Sequence, residues 1–159
     1  MEQAKSYNDL PQSCVLHVCT SCRPAGFPRE PKEDRPGFRL HQKISEALEV
    51  SDLQDLVNLE AAQCLSLCPR PCGIALASSE AWTYLFGDQD PATSVASILE
   101  CVSIYLNSDK GEMPRSARPE GLREAAEAAA ARRGAAPPAA AEAAEPAKPA
   151  KPDRQQQHA

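Results

Sequence analysis

Gly73-Ile-Ala-Leu-Ala-Ser-Ser-Glu-Ala-Trp-Thr-Tyr-Leu-Phe-Gly-Asp88 is the stretch that decides how this chain folds. Gly73–Ala77 and Ala81–Phe86 are short apolar runs of strand composition, and Ser78-Ser79-Glu80 between them has turn chemistry. The two runs are close enough in sequence to pair as an antiparallel hairpin. Their aromatic and branched side chains need a sheet or helix face to cover them.

Toward the N-terminus, Cys14-Val-Leu-His-Val-Cys19 reads as a strand. Arg23 to Gly37 is rich in proline, glycine and charge, which is loop chemistry. Leu40, Ile44, Ala47 and Leu48 recur at three- and four-residue intervals and predict a helix from about Phe38 to Glu49. Leu53 to Leu59 holds a further strand, Leu56-Val-Asn-Leu59. Beyond the hairpin, Val95, Ile98, Leu99, Val102 and Leu106 form the apolar face of a last helix. Pro91 suits its start, with Asp90 as N-cap. The order β-α-β-β-β-α predicts an α/β fold, a mixed sheet of about four strands with helices packed on it.

The chain has 159 residues, but they do not all have core composition. Residues 13–114 form the expected domain, residues 1–12 a flexible N-terminus, and residues 115–159 an Ala/Pro-rich extension that is mostly disordered. Within that extension, Glu120 to Arg133 has helical composition. From Gly134 the Ala-Pro repetition predicts an extended chain. The N-terminus has no apolar signal segment and no window approaches a membrane span, so the expected setting is cytoplasmic.

Residues 1–114 carry 9 basic and 16 acidic groups, a net −7, while the remainder carries 8 against 6, a net +2. An acidic domain repels phosphate backbones, which argues against nucleic acid as a partner. It suits ordinary solubility, or docking to a basic redox partner. No glycine-rich phosphate loop, serine nucleophile elbow or His-Glu-x-x-His pattern is present, and nothing points to an enzyme.

The chemistry-bearing residues are cysteines. Seven are present, an odd number, and five fall in two clusters, Cys19-Thr-Ser-Cys22 and Cys64-Leu-Ser-Leu-Cys68-Pro-Arg-Pro-Cys72. In a reducing compartment clustered thiols bind metal or do redox chemistry more often than they form staples. Thiolates are soft donors suited to iron and zinc. Pro69 and Pro71 prevent the second run from being a regular helix, so it is expected to be a loop whose amides can face the sulfurs. If the strands before the two clusters are neighbours, the loops meet at one sheet edge and four thiols can enclose one site.

Four ligands satisfy one zinc or one [2Fe-2S] unit, and five cysteines are offered. The fifth is a spare, a resolving thiol or a packing residue. An iron–sulfur site, a zinc site, dithiol exchange and purely structural cysteines all remain open on spacing alone. Pro24, Gly26 and Pro28 argue against the helix that a catalytic Cys19-x-x-Cys22 pair would open. Cys14 and Cys101 lie in apolar runs and read as buried small hydrophobes. His17 reads as a surface or packed residue rather than a ligand.

The segment from about Ser13 to Arg123 resembles DUF1636, a family of small predicted metal-binding proteins, itself similar to the thioredoxin-like [2Fe-2S] ferredoxins. The marks are Leu16-His-Val-Cys19-Thr-Ser-Cys22-Arg23, the run Cys64 to Cys72, Trp82-Thr-Tyr-Leu-Phe-Gly-Asp88 and Arg118-Pro-Glu-Gly-Leu-Arg123. The resemblance implies a thioredoxin-like sheet holding a metal site, with electron transfer or metal handling as its role. The expected partner is a redox or metal-handling protein. The ferredoxin pattern maps best onto Cys64 and Cys68. It sets its two early cysteines farther apart than Cys19 and Cys22, and needs none at Cys72. The expected function is a [2Fe-2S] ferredoxin-like electron carrier or auxiliary metalloprotein, with Cys19, Cys22, Cys64 and Cys68 as the preferred quartet and Cys72 as the reserve metal ligand in place of Cys19 or Cys22. The alternatives are a zinc-binding structural module and a thioredoxin-like thiol oxidoreductase.

Overall fold

A computed structural model describes residues 13–79, 81–123 and 126–130. Its strands are β1 (Cys14–Cys19), β2 (Val57–Ala62), β3 (Ile74–Ala77), β4 (Thr83–Phe86) and β5 (Ala126–Ala130). Its α-helices are α1 (Pro36–Glu49), α2 (Val95–Leu106) and the one-turn α3 (Glu120–Arg123). The strands form one sheet in the order β2-β1-β3-β4-β5. β1 and β2 are parallel, in register from Cys14 opposite Val57 to Cys19 opposite Ala62. β1–β3 and β3–β4 are antiparallel, and β3–β4 is the hairpin read from the sequence. A parallel pair joined through a helix, then an antiparallel hairpin and a helix, is the expected mixed α/β arrangement.

The core follows from the periodicities. Cys14, Leu16 and Val18 alternate into the interior along β1. α1 packs against β1 and α2 and buries Leu40, Ile44 and Leu48. α2 adds Ile98, Cys101, Val102, Tyr105 and Leu106. Burying each large apolar side chain contributes roughly 1.5–3 kcal/mol before chain entropy is counted. Tyr84 stacks on Phe86 and meets Tyr105 edge-on, with centroids 6.2 Å apart in the second pair. Both buried hydroxyls are satisfied: Tyr105 Oη donates to Trp82 O at 2.7 Å, and Tyr84 Oη accepts from Met113 N at 2.8 Å.

Several boundaries differ from the sequence reading. α1 begins at Pro36 rather than Phe38, because proline's fixed φ suits the first helical position. β2 continues to Ala62, because its parallel ladder runs as far as Cys19. α2 starts at Val95, not Pro91. Asp90 instead organises a turn, its Oδ1 accepting from Ala92 N at 2.6 Å while Ser94 N donates to Asp90 O at 2.8 Å.

The sheet extends the expected arrangement of about four strands by a fifth. Of the span read as helical, Glu120 to Arg133, only Glu120–Arg123 is helix, and Ala126–Ala130 adds a fifth strand to β4. The open edge of β4 offers unpaired backbone groups, and ladder hydrogen bonds there outweigh alanine's helical preference. Leu122 and Met113 are buried in the same core as the sheet residues. The expected flexibility of residues 1–12 and extended chain from Gly134 lie outside the described residues.

Candidate metal centre

Parallel pairing places both cysteine loops at one end of the sheet. Cys19 ends β1, Ala62 ends the adjacent β2, and Cys64 follows two residues later. β3 runs the opposite way, so it begins at that end, just after Cys72. All five clustered cysteines are therefore gathered at the loops of one sheet edge.

The first loop is fastened to three neighbours. Cys19 N donates to Gly73 O at 2.9 Å, Thr20 N to Ala62 O at 2.9 Å, and Gly37 N to Cys22 O at 3.0 Å. Thr20 Oγ1 adds a bond to Ala62 O at 3.2 Å. Gly37 is glycine for a steric reason: any Cβ there would collide with the Cys19 carbonyl oxygen. The start of α1 thus lies directly on the Cys19–Cys22 loop.

The second loop is bent by two residues with positive φ, Ser66 and Cys72, both at 59°. Ser66 N donates to Cys64 Sγ at 3.3 Å and Arg70 N to Leu67 O at 2.8 Å. Arg70 Nε bonds Asp88 Oδ2 at 2.7 Å, tying the loop to the residues after β4. A Cβ on Gly87 would come within 2.5 Å of the Arg70 Cβ. That glycine clears the ground on which the loop lies.

Cys19, Cys22, Cys64 and Cys68 line one cleft of about 530 Å³. Cys19 and Cys22 form its buried floor, while Cys64 and Cys68 are exposed at its mouth. Among the described residues, no three histidine, cysteine, aspartate or glutamate side chains are gathered closely enough to hold an ion as they stand. The donor set nevertheless fits a thiolate-bound metal: four soft sulfurs share one cleft, and backbone amides are directed at the two inner ones.

The electrostatics separate the inner pair. The Cys19 thiol is lowered to about 6, chiefly by the hydrogen bond from the Cys22 thiol. The amides of Leu65, Ser21 and Cys22 assist against the opposing effect of burial. Cys22 is pushed up by that same bond, then by burial, while the amides of Gly73 and Cys72 pull the other way. As a neutral thiol, Cys19 Sγ donates to Gln63 O at 3.8 Å.

Cys72 lines a different groove. It is buried next to Pro71, which borders both grooves, and shares the second with Phe27, Asp88, Gln89 and Asp90, although its amide still faces the Cys22 sulfur. Its thiol is raised to about 11 by burial, then by the charges of Cys19, Asp90 and Asp88. Cys14 and Cys101 are in the core, as expected of small hydrophobes. His17 faces Glu60 across the β1–β2 ladder, Nδ1 to Oε2 at 3.3 Å, and does not line the cleft.

Sequence reasoning missed the arginines. Arg23, Arg29 and Arg35, with Glu30, share the cleft wall with the thiols. Their alternation with prolines between the first ligand pair and α1 was the available signal.

Two solved structures are similar to part of this chain, both of thioredoxin-like [2Fe-2S] ferredoxin from Aquifex aeolicus. One is 19% identical with a TM-score of 0.44, covering 56% of this chain and 78% of the other. The second, the wild-type protein, is 17% identical with a TM-score of 0.43, covering 60% and 87%. No curated protein matches the sequence. The family profile described as "Protein of unknown function (DUF1636)" matches residues 16–131, from within β1 to just past β5, and the chain belongs to that family.

Proposed function

We propose that this protein is a cysteine-ligated metalloprotein whose resident group is a [2Fe-2S] cluster held by Cys19, Cys22, Cys64 and Cys68, acting as an electron carrier. One observation carries the reading: four cysteines from two separate loops line a single cleft, with amides directed at the inner sulfurs. When bound, such a cluster supplies one-electron redox chemistry. The floor pair, fixed by Gly73, Ala62 and Gly37, would set the position of the group. The outer pair, on a loop bent at Ser66, would close over it. Amides near the sulfurs favour the thiolate form and stabilise added negative charge, which raises a reduction potential. Cys72 faces the second groove and serves as a reserve ligand at most.

Anaerobic purification followed by an absorption spectrum and by iron, acid-labile sulfide and zinc analysis tests this. Visible charge-transfer bands with iron and sulfide each about two per chain are expected. A colourless protein with about one zinc per chain would overturn the redox reading and leave a structural or metal-handling module.

A further inference from the structure

The mouth of the thiol cleft has a charge opposite to that of the domain around it. Residues 1–114 carry a net −7, yet the residues lining the cleft include Arg23, Arg29 and Arg35 against one acid, Glu30. The guanidiniums are not equivalent. Arg35 Nη2 pairs with Glu30 Oε1 at 3.1 Å and its Nε donates to Arg29 O at 2.7 Å. Arg35 therefore closes the loop and its charge is largely cancelled. Arg23 Nη1 donates to the neutral Phe27 carbonyl at 2.6 Å, so its charge remains. Arg29 is exposed, and its side chain has no bonding partner among the described residues. Two uncancelled positive charges thus flank the thiols.

Phe27 lies between them in sequence and is 46% exposed, one of two large apolar side chains left open among the described residues. It lines the second groove, which shares Pro24 and Pro71 with the cleft, and two of the acids there are already paired, Asp34 with Arg39 and Asp88 with Arg70. An exposed aromatic beside arginines is the composition of a protein interface, where such residues act as anchors. A small-anion pocket would require guanidiniums converging on one point. Here Arg23 and Arg35 are spent on holding the loop, which leaves the charge spread along a rim. Spread charge steers and orients a macromolecular face rather than chelating an ion.

We propose that the segment from Arg23 to Arg35 is a docking surface for a protein partner presenting acidic residues around an apolar spot, seated over the mouth of the thiol cleft with its apolar spot on Phe27 at the adjoining groove. Phe27 supplies the apolar contact, and Arg29 and Arg23 supply the steering charge. That the partner serves a metal rests on the function proposed above; the binding itself does not.

The test uses the full chain as purified and a fluorescein-labelled peptide of alternating glutamate and leucine, with its lysine counterpart as control, read by anisotropy. The glutamate peptide should bind at about 20 mM salt and be released by about 300 mM. Arg29→Glu and Phe27→Ser should each weaken it about fivefold or more, with circular dichroism unchanged because both side chains are exposed. Equal or tighter binding of the lysine peptide, no binding at low salt, or indifference to both variants would overturn the proposal. So would displacement by inorganic phosphate beyond the effect of sodium chloride at matched ionic strength, which would mark a small-anion site. Metal analysis of the same sample separates the two readings. Zinc alone with intact peptide binding sinks the electron-carrier function and spares the docking surface, whereas an iron–sulfur protein indifferent to the peptide does the reverse.

Discussion

Cys14 and Cys19 stand at opposite ends of the same strand and are almost equally buried, 1% and 2% exposed. Their chemistry diverges completely. Burial alone pushes Cys14 up to about 12, whereas hydrogen bonds from Cys22 and three backbone amides bring Cys19 down to about 6. Exposure therefore does not decide what a thiol does in this fold. The deciding factor is whether hydrogen-bond donors face the sulfur, first the Cys22 thiol and then backbone amides. Cys14 N is bonded to Leu56 O at 2.9 Å and no donor among the described residues is directed at its sulfur, whereas beyond Cys19 the chain turns and the amides of Ser21 and Cys22, with that of Leu65, face the Cys19 sulfur. The five clustered cysteines sit in or beside the loops at one end of the sheet; Cys14 lies at the other end of β1, and Cys101 within α2.

The comparison breaks most violently at Gly37. Valine there would place its Cβ on the Cys19 carbonyl, and the Cys19–Cys22 loop has little freedom to retreat because it is bonded to Gly73 and Ala62. Gly37→Val should cost about 3 kcal/mol and abolish metal loading together. Urea unfolding and metal analysis on one preparation check this. Retained metal at wild-type stability would show that the start of α1 does not hold the thiol floor.

Alkali should expose the other end. Cys14 and Cys101 are each raised to about 12 by burial, from an ordinary value of 9.0. Above 9 the unfolded thiols lose protons that the folded ones keep, so the stabilisation is complete below 9 and drains away as pH rises toward 12. By pH 10 each thiol should subtract about 1 kcal/mol relative to neutral pH. Urea unfolding of wild type and Cys101→Ala at both pH values measures it, the variant's drop being smaller by about 1 kcal/mol. Parallel slopes for the two proteins would mean that Cys101 ionises freely in the fold.

Serine substitution sharpens the same contrast from the side-chain direction. Cys101→Ser buries a hydroxyl in an apolar setting and should cost about 1–2 kcal/mol while metal stoichiometry stays at the wild-type value. Cys68→Ser, at an exposed position, should move metal-free stability by less than about 0.5 kcal/mol and strip most of the metal. Thermal melts and metal quantitation of both variants form the check. Full metal content in Cys68→Ser would remove Cys68 from the proposed quartet and bring Cys72 forward.

What the sequence makes legible divides along similar lines. Period and composition reveal β1, the hairpin and the buried stripes of α1 and α2, because each of those side chains reports its own burial. The fifth strand is illegible, since Ala126–Ala130 joins the sheet through the backbone edge of β4 and alanine carries no strand signal. The spacing of the cysteines also points to one shared site. The direction of Cys72 is not in the spacing; it depends on a left-handed backbone at Cys72 and on where Pro71 divides the two grooves. The positive rim is hidden for a related reason. Net charge counts Arg35 and Glu30 equally with the rest, and only the folded loop shows that these two cancel while Arg23 and Arg29 do not.

The smallest effect concerns how the second loop keeps its shape. Ser66 holds φ at 59°, a conformation that costs a residue with a Cβ about 1 kcal/mol relative to glycine. Its amide meets Cys64 Sγ, a contact that glycine would retain because it belongs to the backbone. Ser66→Gly should therefore gain about 0.5 kcal/mol in the folded chain, the relief of strain being partly offset by the freedom glycine adds to the unfolded state. Alanine at the same position keeps the strain and should leave stability within about 0.3 kcal/mol of wild type. Thermal melts of the pair separate the two contributions. If alanine and glycine behaved alike, the left-handed bend would be imposed by the closure of the loop between Ala62 and Gly73, and the outer thiols would owe their position to the sheet rather than to Ser66.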